Sequence, residues 1–409
     1  MQTVICGVRK SMFDSLIGDK RPLGWMLQFW PVLPAAFFSA LVATALSWRA
    51  ALRFGIVDRP DGRVKTHAQP VAYLGGVGML IGLAAGLLAG IYLLQRDAAF
   101  RRELLWLLGV LVGATLACLV GLADDILDLR PRHKVFGQML AALVLLLVGI
   151  DPNLQQIARP LGLTLPADVE AVLDAVVVMC FVLGATNSLN LLDGLDGLCG
   201  GVTAIMTVAL LLLAIHLATW GFSDFGDPVR IVVCLGLVGG VCGFLPFNRH
   251  PAAIFMGDAG SMLLGFVVAA LMILFAEGVP RWWLASIVVF GLPLLDTSVA
   301  VVRRLRNHRP VFVSDRGHIY DQMIDRGLPV RRTVAICYGL AGLYALIGLA
   351  MSQIRTRYAA AVYVLVFATS AVVVWRKGYL KMHGLRGAAL KARNPNLEIR
   401  NKPQGPKPQ

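Results

Sequence analysis

The amino-acid sequence predicts an all-α polytopic integral membrane protein of about eleven transmembrane helices, with a polar site gathered on one face of the bilayer. Three observations predict this. Of the 409 residues, 57% are hydrophobic, and the mean hydropathy is +0.71, more than a single soluble core can use. Apolar runs near the roughly 20 residues that cross about 30 Å of hydrocarbon as a helix recur from Trp25 onward. The polar motifs lie in alternate connecting loops, so one parity places all of them on the same face.

The expected spans are 25–48, 73–94, 104–122, 135–150, 171–189, 198–219, 230–247, 262–277, 282–302, 333–352 and 358–375, of which the fourth and eighth are short. Ahead of them, residues 1–24 set Arg9, Lys10, Asp14, Asp19, Lys20 and Arg21 around a few apolar positions, with no stretch long enough for a cleavable signal peptide. That segment is expected to lie on the membrane surface or to be flexible. Residues 25–376 form one transmembrane domain. Residues 377–409 are rich in Lys and Arg, lose nearly all apolar content, and are expected to be a solvated, disordered tail.

The seven cysteines are an odd number, and Cys118, Cys180, Cys234, Cys242 and Cys337 fall inside expected spans, where they act as small hydrophobes rather than as a disulfide or zinc framework. A net charge of +14 could suggest nucleic acid, but the basic residues sit in short loops beside spans and in the tail. Membrane lipids and an anionic substrate account for them, and no nucleic-acid partner is expected. With eleven spans the termini lie on opposite sides. The larger share of the 38 Lys and Arg falls on the face that carries the odd-numbered loops and the C-terminus, which makes that face cytoplasmic.

Loop 1 reads DRPDGRVKTHAQPVAYLGG from Asp58 to Gly76, where Pro and Gly stop any continuous helix and Lys65 and His67 are candidate phosphate contacts. A positive-inside loop without chemistry is the alternative. Loop 3 opens on GLADDILDL. Asp124 and Asp128 would share a helix face at i and i+4, and the adjacent Asp124 and Asp125 repel each other unless a proton, a metal or a metal-bound phosphate joins them. A solvated helix end would need neither.

Loop 5, NSLNLLDGLDGLCGG, spaces Asn187, Asn190, Asp193 and Asp196 three apart among glycines, a pattern suited to irregular backbone held against a ligand. A Gly-rich structural turn is the bland reading. In loop 7, FNRHPAAIFMGDAGSMLLG, Asp258 precedes small residues whose amides suit phosphate, so a bridging metal would reconcile its charge with such a ligand. As a plain N-cap it would need none. Span 9 carries an intramembrane acid, Asp296, which is either functional or paired with Arg303, Arg304 or Arg306. His318, between Asp315 and Asp321, makes a further polar cluster in loop 9.

Hard oxygen ligands in this arrangement suit Mg²⁺, or Mn²⁺ in its place, binding a diphosphate. A proton-coupled transporter would instead call for mid-span ionisable residues and an internal repeat, and Asp296 alone meets the first condition.

Taken in order, the motifs from Asp58 to Gly327 resemble the polyprenyl-phosphate N-acetylhexosamine-1-phosphate transferases of glycosyltransferase family 4. That family includes the UDP-GlcNAc:undecaprenyl-phosphate GlcNAc-1-phosphate transferases and phospho-MurNAc-pentapeptide transferase. The resemblance implies a Mg²⁺-dependent enzyme of the inner membrane with a cytoplasmic active site. It would move a hexosamine 1-phosphate from a UDP-N-acetylhexosamine to a polyprenyl phosphate, release UMP, and start cell-envelope polysaccharide synthesis. A homodimer is a further expectation.

Under that resemblance Asp124, Asp125 and Asp258 are catalytic, and Asp258 and Asp193 bind the metal. Asn187, Asn190, Asp193, Asp196, Asn248, Phe255 and His318 hold the nucleotide sugar, with Phe255 stacking on uracil. The acidic pair would deprotonate the acceptor, position it, or form a phosphosugar-enzyme. The family's loop 9 carries several histidines, as in HxHH, whereas this chain reads His318, Ile319, Tyr320, Asp321. That departure favours a UDP-GlcNAc-like donor, then a modified UDP-HexNAc, over UDP-MurNAc-pentapeptide.

Overall fold

The computed structural model describes residues 27–58, 70–95, 101–159, 162–219, 227–276, 280–308 and 317–380. Lys65, His67 and Asp315, the segment 1–24, and nearly all of 377–409 lie outside the described residues.

Every expected span is helical over most of its described residues. In chain order the elements are α1 (Val32–Phe54), a two-stranded hairpin of β1 (Val57–Asp58) and β2 (Val71–Ala72), α2 (Gly75–Leu94), α3 (Arg101–Leu127), α4 (Pro131–Leu147), α5 (Leu154–Ala158), α6 (Ala167–Leu192), α7 (Leu198–Thr219) and α8 (Asp227–Asn248). They continue as α9 (Gly257–Leu274), α10 (Pro280–Val289), α11 (Gly291–Arg306), α12 (Ile319–Asp325), α13 (Val330–Met351) and α14 (Thr356–Arg376). Nine helices among the described residues are long and apolar enough to cross a bilayer, and α10 with α11 makes a tenth, bent span. The fourth expected span, α4, has 17 residues, about 25 Å of rise, a little less than the hydrocarbon thickness.

The ninth span departs from a straight helix for a local reason. Pro293 has no N–H to give and its ring crowds the carbonyl four residues earlier, which belongs to Val289. The helix ends at that residue, and the two pieces meet at 67°.

α9 is the central helix. Residues Ala259 to Leu274 are all buried, and the helix packs against α3, α6 and α2 with further contacts to α4, α7, α8 and α10. A segment apolar on every face belongs in such a position, surrounded by other helices rather than by lipid. α1, α2 and α8 form a second packed group. Gly78, Gly82, Gly86 and Gly90 of α2 repeat every four residues, letting it approach Thr44, Ala40 and Ala36 of α1 and Val232 of α8 at backbone range.

The loops at one end of this bundle are stitched together. Phe255 N–H donates to the Ala72 carbonyl (2.7 Å), Gly75 and Gly76 N–H donate to the Phe255 and Met256 carbonyls (3.0 Å each), and Ala72 and Ile254 form a parallel bridge. The end of loop 1 is thereby fixed on loop 7 just before α9. A Cβ at Gly76 would stand 2.3 Å from the Gly260 backbone nitrogen. Gly76→Ala is therefore expected to cost about 1–3 kcal/mol of stability, the scale of overpacking against backbone, checked by thermal unfolding in detergent.

Candidate active site

Asp124 and Asp125 sit in the last turn of α3, Lys134 in the first turn of α4, Asn187 and Asn190 near the end of α6, and Asp258 in the first turn of α9. Their side chains converge. Lys134 Nζ lies 2.8 Å from Asp124 Oδ2 and 2.5 Å from Asp258 Oδ2, so one ammonium bridges two carboxylates. Asn190 donates from Nδ2 to Asp258 Oδ1 (2.6 Å) and to Ser261 Oγ (3.0 Å). Asp258 is thus gripped on both oxygens by side chains from two other helices.

Asp125 does something different. Its carboxylate accepts the Asp258 N–H (2.9 Å) and the Ala259 N–H (3.1 Å), two of the amides that the start of α9 leaves without helical partners. The residue before α9, Met256, makes no side-chain cap, so the cap comes from a neighbouring helix. Gly257 permits this: its φ is +69°, and a Cβ there would meet the Asp125 carboxylate. Neither simple expectation for Asp258 holds in consequence. Asp258 is not the N-cap, and the two amides beside it are taken by Asp125 rather than open to phosphate.

The helix geometry also corrects the pairing of Asp124 with Asp128. α3 ends at Leu127 and Asp128 turns left-handed with φ 50°, so the two do not share a helical face. Asp124 instead accepts the Leu129 N–H (2.9 Å) and faces Lys134. Loop 5 is likewise more regular than its glycines suggest. α6 runs through Leu192, so Asn187 and Asn190 lie on one helical face, and irregular backbone starts at Asp193.

Asn187 Nδ2 donates to Gln138 Oε1 (3.1 Å) and the Leu183 carbonyl (2.8 Å), beside the cluster rather than in it. Asp193 follows α6 directly. Burial first, and then the carboxylates of Asp258, Asp125 and Asp196, push its pKa well above the ordinary carboxylate range. Asp193 therefore lies in the field of the same acids.

Asp196 and Asn248 hold the loops. Asp196 Oδ2 accepts from His250 Nδ1 (2.6 Å) and the Ala252 N–H (3.2 Å). Asn248, 2% exposed, accepts the Gly197 N–H (2.9 Å) and donates to the Ile254 carbonyl (2.9 Å), fastening loop 5 to loop 7. Phe255 is half-buried where loops 1 and 7 join.

His318 is the third loop anchor, and the structure buries it. It is 4% exposed, and its Nδ1 lies 2.7 Å from Oδ2 of Asp296, itself 2% exposed. The other Asp296 oxygen accepts the Ile319 N–H (2.8 Å) at the start of α12. The intramembrane acid thus pairs with the loop histidine. Next to it, Tyr320 Oη donates to the Leu191 carbonyl at the end of α6 (2.8 Å), which docks α12 over loop 5.

The carboxylates around Asp258 are oxygen donors of the type that could hold a divalent cation of the Mg²⁺ kind. Asp124 and Asp258 both reach a single cationic atom, Lys134 Nζ, and Asp193 experiences both Asp258 and Asp125. Among the described residues no group of three His, Cys, Asp or Glu forms a ready-made cage. Mg²⁺ held by one or two carboxylates and completed by substrate phosphates needs no such cage.

Lys134 and His250 are the site residues that motif reading missed. Lys134 lies nine residues past Asp125 across a helix break, and that spacing carries no pairing signal; it closes the basic run Arg130, Arg132, His133, Lys134 at the head of an apolar span, which nothing in the letters sets apart from positive loop residues.

Comparison with known proteins identifies relatives of the chain. Residues 107–276, which contain the whole Asp124, Lys134, Asn190 and Asp258 cluster, match the family model described as glycosyl transferase family 4. The chain is 31% identical to a protein of Mycolicibacterium smegmatis named decaprenyl-phosphate N-acetylglucosaminephosphotransferase, over 72% of this chain and 75% of the relative. It is 29% identical to "Probable undecaprenyl-phosphate N-acetylglucosaminyl 1-phosphate transferase" of Bacillus subtilis, over 76% and 81%. It is 31% identical to a phospho-N-acetylmuramoyl-pentapeptide-transferase of Desulforamulus reducens, over 74% and 88%.

Proposed function

The chain belongs to glycosyl transferase family 4, and on that premise we propose that it transfers an N-acetylhexosamine 1-phosphate, with GlcNAc-1-phosphate first, from a UDP-sugar to a polyprenyl phosphate. One oxygen of the acceptor phosphate bonds to the β-phosphorus of the donor. The bond from that phosphorus to the oxygen bridging the two donor phosphates breaks, and UMP departs with the electron pair. The observation that carries this reading is the ammonium of Lys134 set between Asp124 and Asp258 at one end of a membrane bundle, with Asn190 fixing the second Asp258 oxygen.

Two anionic substrates repel, and fixed cationic charge aimed at their phosphates lowers that barrier. Mg²⁺, with Mn²⁺ as the alternative, would be held by Asp258 and Asp193 with Asp124 nearby, and when bound supplies further charge neutralisation of the diphosphate. The same geometry favours direct attack by the acceptor over a phosphosugar-enzyme. Asp125 is committed to two α9 amides and Asp124 to Lys134 and the Leu129 N–H, so neither is a loose nucleophile. The GlcNAc preference rests on α12, where His318 turns inward to Asp296 and Tyr320 and Asp321 stand where the family carries further histidines. The excess of basic residues around this end of the bundle supports a cytoplasmic site.

The purified chain, given UDP-GlcNAc, undecaprenyl phosphate and Mg²⁺, should release UMP and form a lipid-linked sugar diphosphate. Absence of product with every UDP-N-acetylhexosamine would sink the reading.

A further inference from the structure

At the same end of the bundle, outside the acid and lysine cluster, a cavity of about 490 Å³ opens between the last two turns of α8 and the first two turns of α13. That size lies within the roughly 300–1,000 Å³ of small-molecule sites. Both helices pack on α7 and touch each other little, which leaves a groove between them. Its apolar walls are Cys242, Leu245 and Pro246 on one side and Val330, Val334 and Tyr338 on the other. From Cys242 to Asn248 the α8 wall runs about 9 Å along the helix axis.

The mouth is cationic. Arg249 and Arg331 face it from opposite walls, both exposed, and neither has an ion-pair partner among the described residues. The positive end of α13 opens into the same space. The single carboxylate lining the cavity, Asp196, is occupied by His250 and the Ala252 N–H. An apolar slot under two guanidinium groups at the water boundary matches an acyl chain topped by a phosphate.

We propose that this groove binds an anionic glycerophospholipid of the surrounding leaflet, its phosphate between Arg249 and Arg331 and part of one acyl chain against Leu245 and Val334. The cavity is lined by none of Asp124, Lys134, Asn190 or Asp258; it shares Asp196 with the residues expected to hold the nucleotide sugar, and the variants tested below leave Asp196 in place. It touches the centre's support, because Tyr338 Oη donates to the Gly197 carbonyl (2.6 Å) and Asp196 belongs to loop 5. Bound lipid would brace the loop that carries Asp193.

The test is native mass spectrometry of the full chain released from nanodiscs containing equal phosphatidylglycerol and phosphatidylcholine. The wild type should retain phosphatidylglycerol selectively. The double variant R249A/R331A should retain less by at least roughly tenfold, the scale of losing one charge-assisted bond, while keeping its phosphotransfer in detergent as a control for folding. Equal retention by the double variant would overturn the proposal. So would displacement of the phosphatidylglycerol by stoichiometric undecaprenyl phosphate, which would assign the groove to the acceptor. Val334→Trp, which fills the slot without touching either charge, should also lose the lipid, and full retention there would remove the acyl chain from this groove.

Discussion

Asp258→Asn is expected to lower the rate of UMP release on the order of 10²–10³-fold, the scale of removing one preorganised electrostatic contact from a reaction centre. Asn keeps the size of the side chain and one carbonyl oxygen for the Asn190 amide. It deletes the charge that Lys134 shares between Asp258 and Asp124. The ammonium would then collapse toward Asp124, and a divalent cation would lose its central oxygen donor. Because the backbone N–H of residue 258 still donates to Asp125, the α9 cap survives, and melting should change little. An activity defect with an intact melting curve, together with a weakened response to added Mg²⁺, is the expected pattern. Turnover near that of the wild type would remove Asp258 from the centre.

Much of the architecture was legible because hydrophobic runs of membrane length are long, unbroken signals, and all eleven segments are helical over most of their described residues. The misread details are those set by single atoms. The apolar run of span 9 hides Pro293, whose missing N–H breaks it at Val289. Asp128 looks like a helical partner of Asp124 until the chain turns left-handed beneath it. In the site, Asp258 and the Asn190 spacing were readable as polar groups without a lipid-facing purpose. The division of labour inside the acidic pair was not. Nothing in the letters DD distinguishes Asp125, which caps a helix 133 residues away, from Asp124, which faces Lys134. Tertiary pairing decides it, and Lys134, His250 and the partner of Asp296 were hidden for the same reason.

Asp296→Ala should have the largest effect on stability, a loss of about 3–5 kcal/mol, because it strips a buried charge pair of one member. His318 would keep its place in a site 4% exposed without its hydrogen-bonded carboxylate, and the Ile319 N–H would lose its acceptor. Asp296→Asn separates the two contributions: its carbonyl oxygen can still take the Ile319 N–H, so the remaining loss reports the charge. The pairing also leaves a pH signature. Burial disfavours the imidazolium, but the hydrogen bond and charge of Asp296, with Asp321 adding, outweigh it and raise the His318 pKa above its ordinary value. A proton bound more tightly in the folded state stabilises the fold when it is present. The contribution is therefore complete below the ordinary histidine value of about 6.5 and is lost as pH rises through the higher folded value. Thermal unfolding in detergent across that range should show the wild type losing stability as pH rises and His318→Gln much less so. Parallel curves for the two proteins would mean that His318 is held neutral, and that packing alone docks α12 over loop 5.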